Sequence, residues 1–376
     1  MFEYGAYVGL DVHKDTIAIA VAWPDWGEPE YRGILPNSRK SLNRLIDSLQ
    51  PPTGEVLSFA YEAGPCGYGV YREITDTGHD CQVVAPTLIP RKPGDRVKTD
   101  RRDAVTLARL HRAGELTPVW VPGPDQEAVR DLTRAREDMK AAEMKARQRL
   151  GGFLLRHGRV YAGRSRWTQA HFRWLEGQKF ALPLQQLVFQ EYVDAAIAAA
   201  KRTDALVAQM HEMLTDWSQR PTAEALMSLR GISTITAMTV LAELGDLTRF
   251  DSPRELMGFV GLVPGEYSSG SRRRQGAITR TGNGHVRRLL IESAWAYRFP
   301  ARKTAHLRRK GAKAPDRVQA IAWAAQKRLC GRYRKLYGRG MPKNKVVTAI
   351  ARELVGFIWA IACEVRGRPH GTRAIA

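Results

Sequence analysis

Cysteine is scarce in this chain of 376 residues, and long uninterrupted apolar stretches are absent. The four cysteines lie far apart and form no Cys-x-x-Cys pair, which argues against a zinc cluster and against a secreted disulfide framework. No run reaches the roughly 18 apolar residues of a membrane span, and no basic segment followed by an apolar run opens the sequence. We therefore expect a soluble cytoplasmic protein with reduced cysteines, no membrane partner and two or three domains.

Acidic residues are few beside the basic ones, and the imbalance is uneven along the chain. The net charge is +21, yet residues 1–120 hold 14 Lys and Arg against 16 Asp and Glu. Residues 271–340 hold 20 basic residues against two acidic ones. This density is typical of a surface that neutralises many phosphates. The alternative is a solvated face or a tail on an anionic membrane, which interspersed aromatic residues and the lack of a lipid-anchor motif disfavour.

The first 120 residues have the pattern of a mixed sheet covered by helices. Three short β-rich runs, "AYVGLDV", "TIAIAVA" and "PEYRGIL", are separated by turn residues and predict an antiparallel meander. A helix capped by Ser38, a strand ending in Glu62, a further helix and a strand follow. The segment "TDRRDAVTLARLHRAG" predicts a helix capped by Thr99 and closed by Gly114. Strands followed by strand-helix-strand indicate an α/β domain.

From Asp125 onward the pattern changes to long helices. Two helical segments of about 30 residues or more, the second starting at Pro183, predict an antiparallel coiled-coil hairpin or a dimerisation arm. Near Pro221 the run "LMSLRGISTITAMTVLAELGDL" resembles a helix-hairpin-helix element, a short motif that presents backbone amides to a phosphate. A Gly/Ser/Arg-rich loop and a helix follow. The predicted domains are 1–120, 121–220 and 221–376.

Four carboxylates stand out by their positions in these elements. Asp11 lies in the middle of the first apolar strand, Glu62 ends a later strand, and Asp100 and Asp103 share the first turn of a helix. Four oxygen ligands suit Mg²⁺ or Mn²⁺, and two such ions can activate the attacking oxygen and stabilise the leaving oxygen at phosphorus. Asp100 and Asp103 are equally typical of helix N-terminal acids paired with neighbouring arginines.

The ordered motifs "GLDVHK", "YEAG", "KTDRRDA", "LRGISTITA" and "GLVPGEYSSG…GNGHVRRLL" resemble the DEDD-type insertion-sequence transposases, the bridge-RNA-guided serine recombinases of bacterial mobile elements. The resemblance covers nearly the whole chain in the family's order. It implies an N-terminal ribonuclease H-like (RuvC-like) domain whose acidic tetrad maps onto Asp11, Glu62, Asp100 and Asp103. It also implies a mainly α C-terminal transposase domain.

The same resemblance assigns a nucleophile to the motif "YSSG". The family carries a serine just before a glycine, which is proposed to attack DNA, and Ser269 is the best match, with Ser268 as second choice. A metal or base would have to remove the hydroxyl proton. From the residues alone, the motif is equally typical of a flexible phosphate-binding loop. The arginines around it suit backbone phosphates. They are Arg272, Arg273, Arg274, Arg280, Arg287 and Arg288.

The resemblance also implies partners: double-stranded DNA of the element ends and target, a structured guide RNA, and further copies of the chain, as a dimer of dimers. The serine of one subunit would complete the metal site of another. Three alternatives stay open. An actin-like or sugar-kinase ATPase is disfavoured because "DVHKD" has no glycine for a phosphate loop. A junction resolvase without a covalent serine intermediate, and a non-catalytic nucleic-acid-binding protein, fit the composition.

Overall fold

The computed structural model describes residues 4–25, 27–49, 54–90, 99–269 and 274–368. The chain divides into two compact units, Met1–Pro122 (unit 1) and Gly123–Ala376 (unit 2). The division of the second part at residue 220 stays a prediction.

Unit 1 is built on a mixed five-stranded sheet, in agreement with the predicted α/β class. The strand order is β3-β2-β1-β4-β5, in which β1 is antiparallel to β2 and parallel to β4. This arrangement is consistent with a ribonuclease H-like domain. The elements are β1 (Ala6–Val12), β2 (Thr16–Ala22), β3 (Glu30–Pro36), α1 (Arg39–Leu49), β4 (Leu57–Glu62), α2 (Gly69–Asp76), β5 (Asp80–Val84) and α3 (Asp100–Arg112).

Helices cover both faces of this sheet because β1 alternates its side chains between them. Val8 and Leu10 enter the core that α1 and α2 complete, and both are fully buried. On the opposite face Gly9 lies against α3. A Cβ atom on Gly9 would come within 2.4 Å of the Ala104 carbonyl oxygen and of the Ala108 amide nitrogen. The glycine therefore sets how closely α3 approaches β1.

Unit 2 is mainly helical and carries one small hairpin among its described residues. Its elements are α4 (Pro124–Arg156), α5 (Gln169–Glu176), α6 (Pro183–Asp216), α7 (Arg220–Leu226), α8 (Thr234–Leu244), α9 (Pro253–Phe259), β6 (Pro264–Glu266), β7 (Gln275–Ile278), α10 (Gly284–Ala294), α11 (Ala305–Gly311), α12 (Asp316–Gly338) and α13 (Lys343–Val365).

The two long helices α4 and α6 pack against each other in antiparallel orientation. Val129, near the start of α4, shares a core with Met210 near the end of α6, while Phe153 packs against Phe189 at the other end. The paired long helices agree with the predicted helical hairpin. Coiled-coil packing and a role in dimerisation stay predictions.

Helix α13 is long and apolar enough to cross a membrane, with a mean hydropathy of 1.8 in its most apolar window. However, 78% of that window is buried inside the protein. It packs against α7, α9, α10 and α12. Its apolar composition is therefore explained by its position as the central core helix of unit 2.

The helix-hairpin-helix-like segment forms α7, a tight turn and α8. The second helix begins at Thr234, because Ser233 caps it by accepting a hydrogen bond from the Thr236 amide. Gly231 in the turn has φ +87°, and a Cβ there would lie 2.4 Å from the Ser293 carbonyl oxygen. The turn thus packs closely on the end of α10, and its phosphate-binding role stays a prediction.

Candidate functional site

Asp11 is placed by the pairing of β1 with its two neighbours. It lies opposite Ala18 of β2, and Ala18 is buried on the α3 face of the sheet. The parallel pairing of β1 with β4 ends at Leu10 and Tyr61. Asp11 and Glu62 are the next residues, so both lie at the carboxyl ends of these two strands. The predicted carboxylates of both strands therefore reach the same edge of the sheet.

Asp100 and Asp103 are placed by the start of α3. Thr99 caps this helix as predicted, because its hydroxyl accepts a hydrogen bond from the Arg102 amide at 3.3 Å. The close contact at Gly9 holds the first turn of α3 near the end of β1. Asp103 is half-buried there, whereas 53% of the Asp100 side chain is exposed.

A histidine that sequence reasoning did not single out joins two of these carboxylates. His13 Nε2 lies 3.3 Å from Asp11 Oδ2 and 3.6 Å from Asp100 Oδ1. Ligand atoms of the three residues all lie within 4.8 Å of one another. Among the described residues, this is the group that could hold a metal ion, and Glu62 and Asp103 are not part of it.

The donor set of this Asp-His-Asp group fits a divalent cation. Two carboxylates supply the oxygen ligands that Mg²⁺ and Mn²⁺ prefer, and an imidazole nitrogen is also a common ligand of transition metals. Asp11 is largely buried, with 16% of its side chain exposed, while about half of His13 is open to solvent. A site walled on one side and open on the other can admit both an ion and a phosphate group.

The serine motif lies in the loop of the hairpin formed by β6 and β7. Ser268 and Ser269 are both exposed. The Ser268 hydroxyl donates a hydrogen bond to Glu266 Oε1 at 2.8 Å. Sequence reasoning did not single out Glu266, although it lies two residues before the first serine. Arg272 and Arg273 lie outside the described residues.

Tight backbone contacts fix the base of this hairpin. A Cβ on Gly282 would lie 1.9 Å from the Phe259 carbonyl oxygen, and one on Gly261 would lie 2.3 Å from the Thr281 carbonyl oxygen. Arg287 spans the two chain segments, since its Nη1 donates to the carbonyl oxygens of Val260 (3.0 Å) and Thr281 (2.7 Å). The loop that carries the serines therefore starts from a rigid base.

The predicted arginines fall into two groups. Arg274 and Arg280 are exposed beside the hairpin. Arg287 is bound to backbone carbonyls, and Arg288 forms ion pairs with Glu137 at 2.6 Å and Glu292 at 2.8 Å. Nucleic-acid binding stays a prediction for all four, and for the second group it would require exchange of these contacts.

A buried carboxylate, also missed from the sequence, anchors the turn before α10. The Glu243 side chain is 2% exposed. Its carboxylate accepts hydrogen bonds from Arg134 Nε (2.7 Å), Arg134 Nη2 (2.9 Å) and Asn283 Nδ2 (2.7 Å). Burial alone would raise its pKa, but hydrogen bonds from His285, Arg134 and Asn283 lower that pKa to about 2. Asn283 also caps α10. The Glu243 network thus ties α4 and α8 to the segment "GNGH".

Two transposase family models match the chain. One, the DEDD type of the IS110 group, matches residues 8–158, and the IS116/IS110/IS902 transposase family matches residues 223–308. The protein y4qE of Sinorhizobium fredii, named as a transposase, is 48% identical over 96% of this chain and 89% of its own length. The transposase of IS1533 from Leptospira borgpetersenii is 30% identical over 90% of this chain and 97% of its own. The two matched ranges contain the Asp-His-Asp group and the serine hairpin, respectively.

Proposed function

Because the chain belongs to the IS110 family of DEDD transposases, we propose that it excises and inserts its own element with Ser269 as the nucleophile. As a transposase it acts on DNA, and its DEDD domain implies the use of a divalent metal ion. The observation that best supports the proposal is the meeting of Asp11, His13 and Asp100 at the edge of the sheet. Mg²⁺ or Mn²⁺ is the proposed ion.

In the proposed reaction the Ser269 oxygen forms a phosphate ester with a DNA strand. The phosphodiester bond breaks, the serine proton is lost, and one DNA hydroxyl leaves. Attack by a DNA hydroxyl on the phosphoserine ester then rejoins a strand and regenerates the serine. A divalent ion, when bound, supplies Lewis-acid stabilisation of charge at the phosphate oxygens. Asp11, Asp100 and His13 would hold it, with Glu62 and Asp103 as further carboxylates of the proposed tetrad.

We further propose that the protein works as an oligomer, a dimer of dimers, in which the serine of one subunit completes the acidic site of another. Target choice would rest on a structured RNA encoded by the element, with the protein supplying charge and shape. The density of basic residues in unit 2 supports a nucleic-acid partner, and the α4–α6 pair is the proposed contact between copies. We expect the protein in the cytoplasm, on the nucleoid when DNA is bound.

A strand-transfer assay tests the proposal. Purified protein, element ends and the flanking RNA are incubated with Mg²⁺, and the products are separated on a denaturing gel that reveals protein-linked DNA. The covalent adduct is expected with wild type and with Ser268→Ala, but not with Ser269→Ala or Asp11→Asn. Asp15→Asn is the matched control, because Asp15 is an exposed acid in the turn after β1, outside the Asp-His-Asp group.

Other outcomes would replace the proposal. Cleavage that needs Asp11 but survives both serine changes would make the protein a resolvase-like nuclease that hydrolyses DNA directly. An adduct lost only in Ser268→Ala would transfer the nucleophile to Ser268 and give Glu266 the position of its base. Full adduct formation in Asp11→Asn would make Asp11 structural and overturn its metal role, whereas DNA binding without any cleavage by wild type would leave a nucleic-acid-binding protein whose acids are structural.

A further inference from the structure

The segment 298–303 runs along one side of α12 and is fixed to it. The Arg302 amide donates to Oε1 of Gln326 in α12 at 2.6 Å, and Arg230 Nη1, from the turn before α8, donates to the Pro300 carbonyl oxygen at 2.9 Å. Gln326 is buried, with 5% of the residue exposed, so this anchor is shielded from water. Side chains from the segment and from α12 therefore share one continuous surface.

Aromatic rings on this surface are exposed to an unusual degree. Phe299 and Tyr337 are 50% and 49% exposed, and Trp323 is half-buried. From Trp323 to Tyr337 along α12 the distance is about 21 Å, from the rise of 1.5 Å per residue. Since exposed rings of this size lose the benefit of burial, their alignment on one side of a helix indicates a ligand with flat apolar faces.

Cations accompany each ring. The Arg298 guanidinium lies 4.6 Å from the Phe299 ring centre, the Lys303 ammonium lies 5.2 Å from the Trp323 ring, and the Lys343 ammonium lies 5.8 Å from the Tyr337 ring. Two concavities, of about 410 and 330 Å³, open along the surface. The described residues that line them include no Asp or Glu. Arg334 and Arg308 add further exposed charge.

We propose that this aromatic track, made of Arg298, Phe299, Lys303, Trp323, Arg334, Tyr337 and Lys343, binds an unpaired stretch of nucleic acid. Bases stack on the rings, and the cations contact the phosphates between them. A duplex does not fit this chemistry, because its bases are already stacked and paired, and it presents only phosphates and groove edges. The track is separate from the serine motif in sequence, and the inference does not depend on the strand-transfer chemistry.

Binding to the full chain tests the track. Fluorescence anisotropy is measured in metal-free buffer with a labelled 12-nucleotide RNA, the DNA of the same sequence, and a blunt DNA duplex. Phe299→Ala and Tyr337→Ala should each weaken binding of an unpaired strand by about tenfold or more, because each removes a stacking surface. Duplex binding should be unchanged. Comparison of the RNA and DNA arms identifies which sugar the track prefers, and a preference for either supports the proposal.

Two matched controls separate stacking from folding and from general charge. Tyr337→Phe keeps the ring and should bind as wild type does. Arg334→Gln should weaken binding of the unpaired strand, whereas Lys335→Gln should not, because Lys335 lines a different concavity, between α12 and α13, that contains none of the track residues. The proposal is overturned if the alanine variants bind single strands as tightly as wild type, if duplex binding falls equally, or if the two charge variants behave alike.

Discussion

His13 has a position in the Asp-His-Asp group that a carboxylate tetrad alone does not explain. Its Nε2 atom contacts one oxygen from β1 and one from α3, so it links two elements that meet only in the folded protein. An imidazole in this position can ligate an ion, or it can orient the carboxylates that do. Either role would make His13 part of the proposed metal site.

Replacement of His13 tests that role. His13→Ala should weaken Mn²⁺ binding to the full chain by about tenfold or more, because a ligand or an orienting partner of two ligands is lost. Isothermal titration with Mn²⁺ measures the change. His306→Ala, which alters an exposed histidine of α11, should leave the affinity unchanged. Unaltered Mn²⁺ affinity in His13→Ala would remove His13 from the site.

Gly9 is the residue on which the distance between β1 and α3 depends. In Gly9→Ala the new methyl group would meet backbone atoms of Ala104 and Ala108, which cannot rotate away, so the helix must shift. We expect a loss of about 1–3 kcal/mol in the free energy of unfolding together with weaker metal binding. Thermal denaturation followed by circular dichroism measures the first effect.

Gly69→Ala is the control for Gly9→Ala, because a Cβ on Gly69 would have no atom within 4 Å. Its melting temperature should be equal to that of wild type or slightly higher, since alanine favours helix. If both variants melt alike, the close approach at Gly9 does not limit the packing of α3.

The meeting of two of the four carboxylates could be anticipated from the sequence, and the histidine could not, for a physical reason. An acid within an apolar strand and acids after a capping threonine are local signals, and the structure places Asp11 and Asp100 together as those signals suggest. The contact between His13 and Asp100 depends on the packing of α3 against β1. Gly9, two residues before Asp11, was the available signal for that close packing.

At the level of elements, the serine hairpin depends on its base. Strands β6 and β7 are three and four residues long, and each contains a glycine, so the sequence indicated only a loop there. By contrast, the meander of β1 to β3 and the helix α3 were predicted nearly to the residue, because alternation and capping are encoded locally. The hairpin forms because Gly261, Gly282 and Arg287 close its two ends.

Arg287→Lys tests whether this arginine supports the hairpin or binds DNA. Lysine keeps the charge but cannot reproduce the two short contacts of the guanidinium to Val260 and Thr281. We expect faster hydrogen exchange in strands β6 and β7 and weaker strand transfer, with the salt dependence of DNA binding unchanged. Arg280→Gln should leave hydrogen exchange unchanged and should lower the slope of log Kobs against log salt by about 0.9. Unchanged hydrogen exchange in Arg287→Lys would contradict its supporting role, and an unchanged slope in Arg280→Gln would contradict a phosphate contact by Arg280.

The Glu243 network gives the stability of unit 2 a pH dependence. Because folding lowers the Glu243 pKa from 4.5 to about 2, the stabilisation is complete above pH 5 and is lost as the pH falls toward 2. At pH 7 it amounts to about 3 kcal/mol. Glu243→Gln should therefore melt well below wild type at pH 7, and the difference should shrink toward pH 3. A constant difference between pH 7 and pH 3 would contradict the lowered pKa.

At the scale of the whole molecule, charge is divided between the units. Residues 1–120 carry a net charge of −2, whereas residues 121–376 carry +23. Unit 1 holds the Asp-His-Asp group, and a strongly basic surface there would compete with the ion for those carboxylates. The separation would let unit 1 hold the proposed metal ion while the positive charge of unit 2 attracts nucleic acid.

Salt dependence of DNA binding tests this division. A triple variant of unit 2, in which Arg302, Arg308 and Arg309 become glutamine, should lower the slope of log Kobs against log salt by about 2–3, because each phosphate contact contributes about 0.9. The matched triple variant of unit 1 changes Arg39, Lys40 and Arg44, three exposed cations of α1. It removes the same net charge, so a purely global field would reduce both slopes equally. We expect the unit 1 variant to keep the wild-type slope, because its cations lie on the near-neutral unit. Equal reductions would show that net charge alone, and not a basic surface of unit 2, drives the binding of DNA.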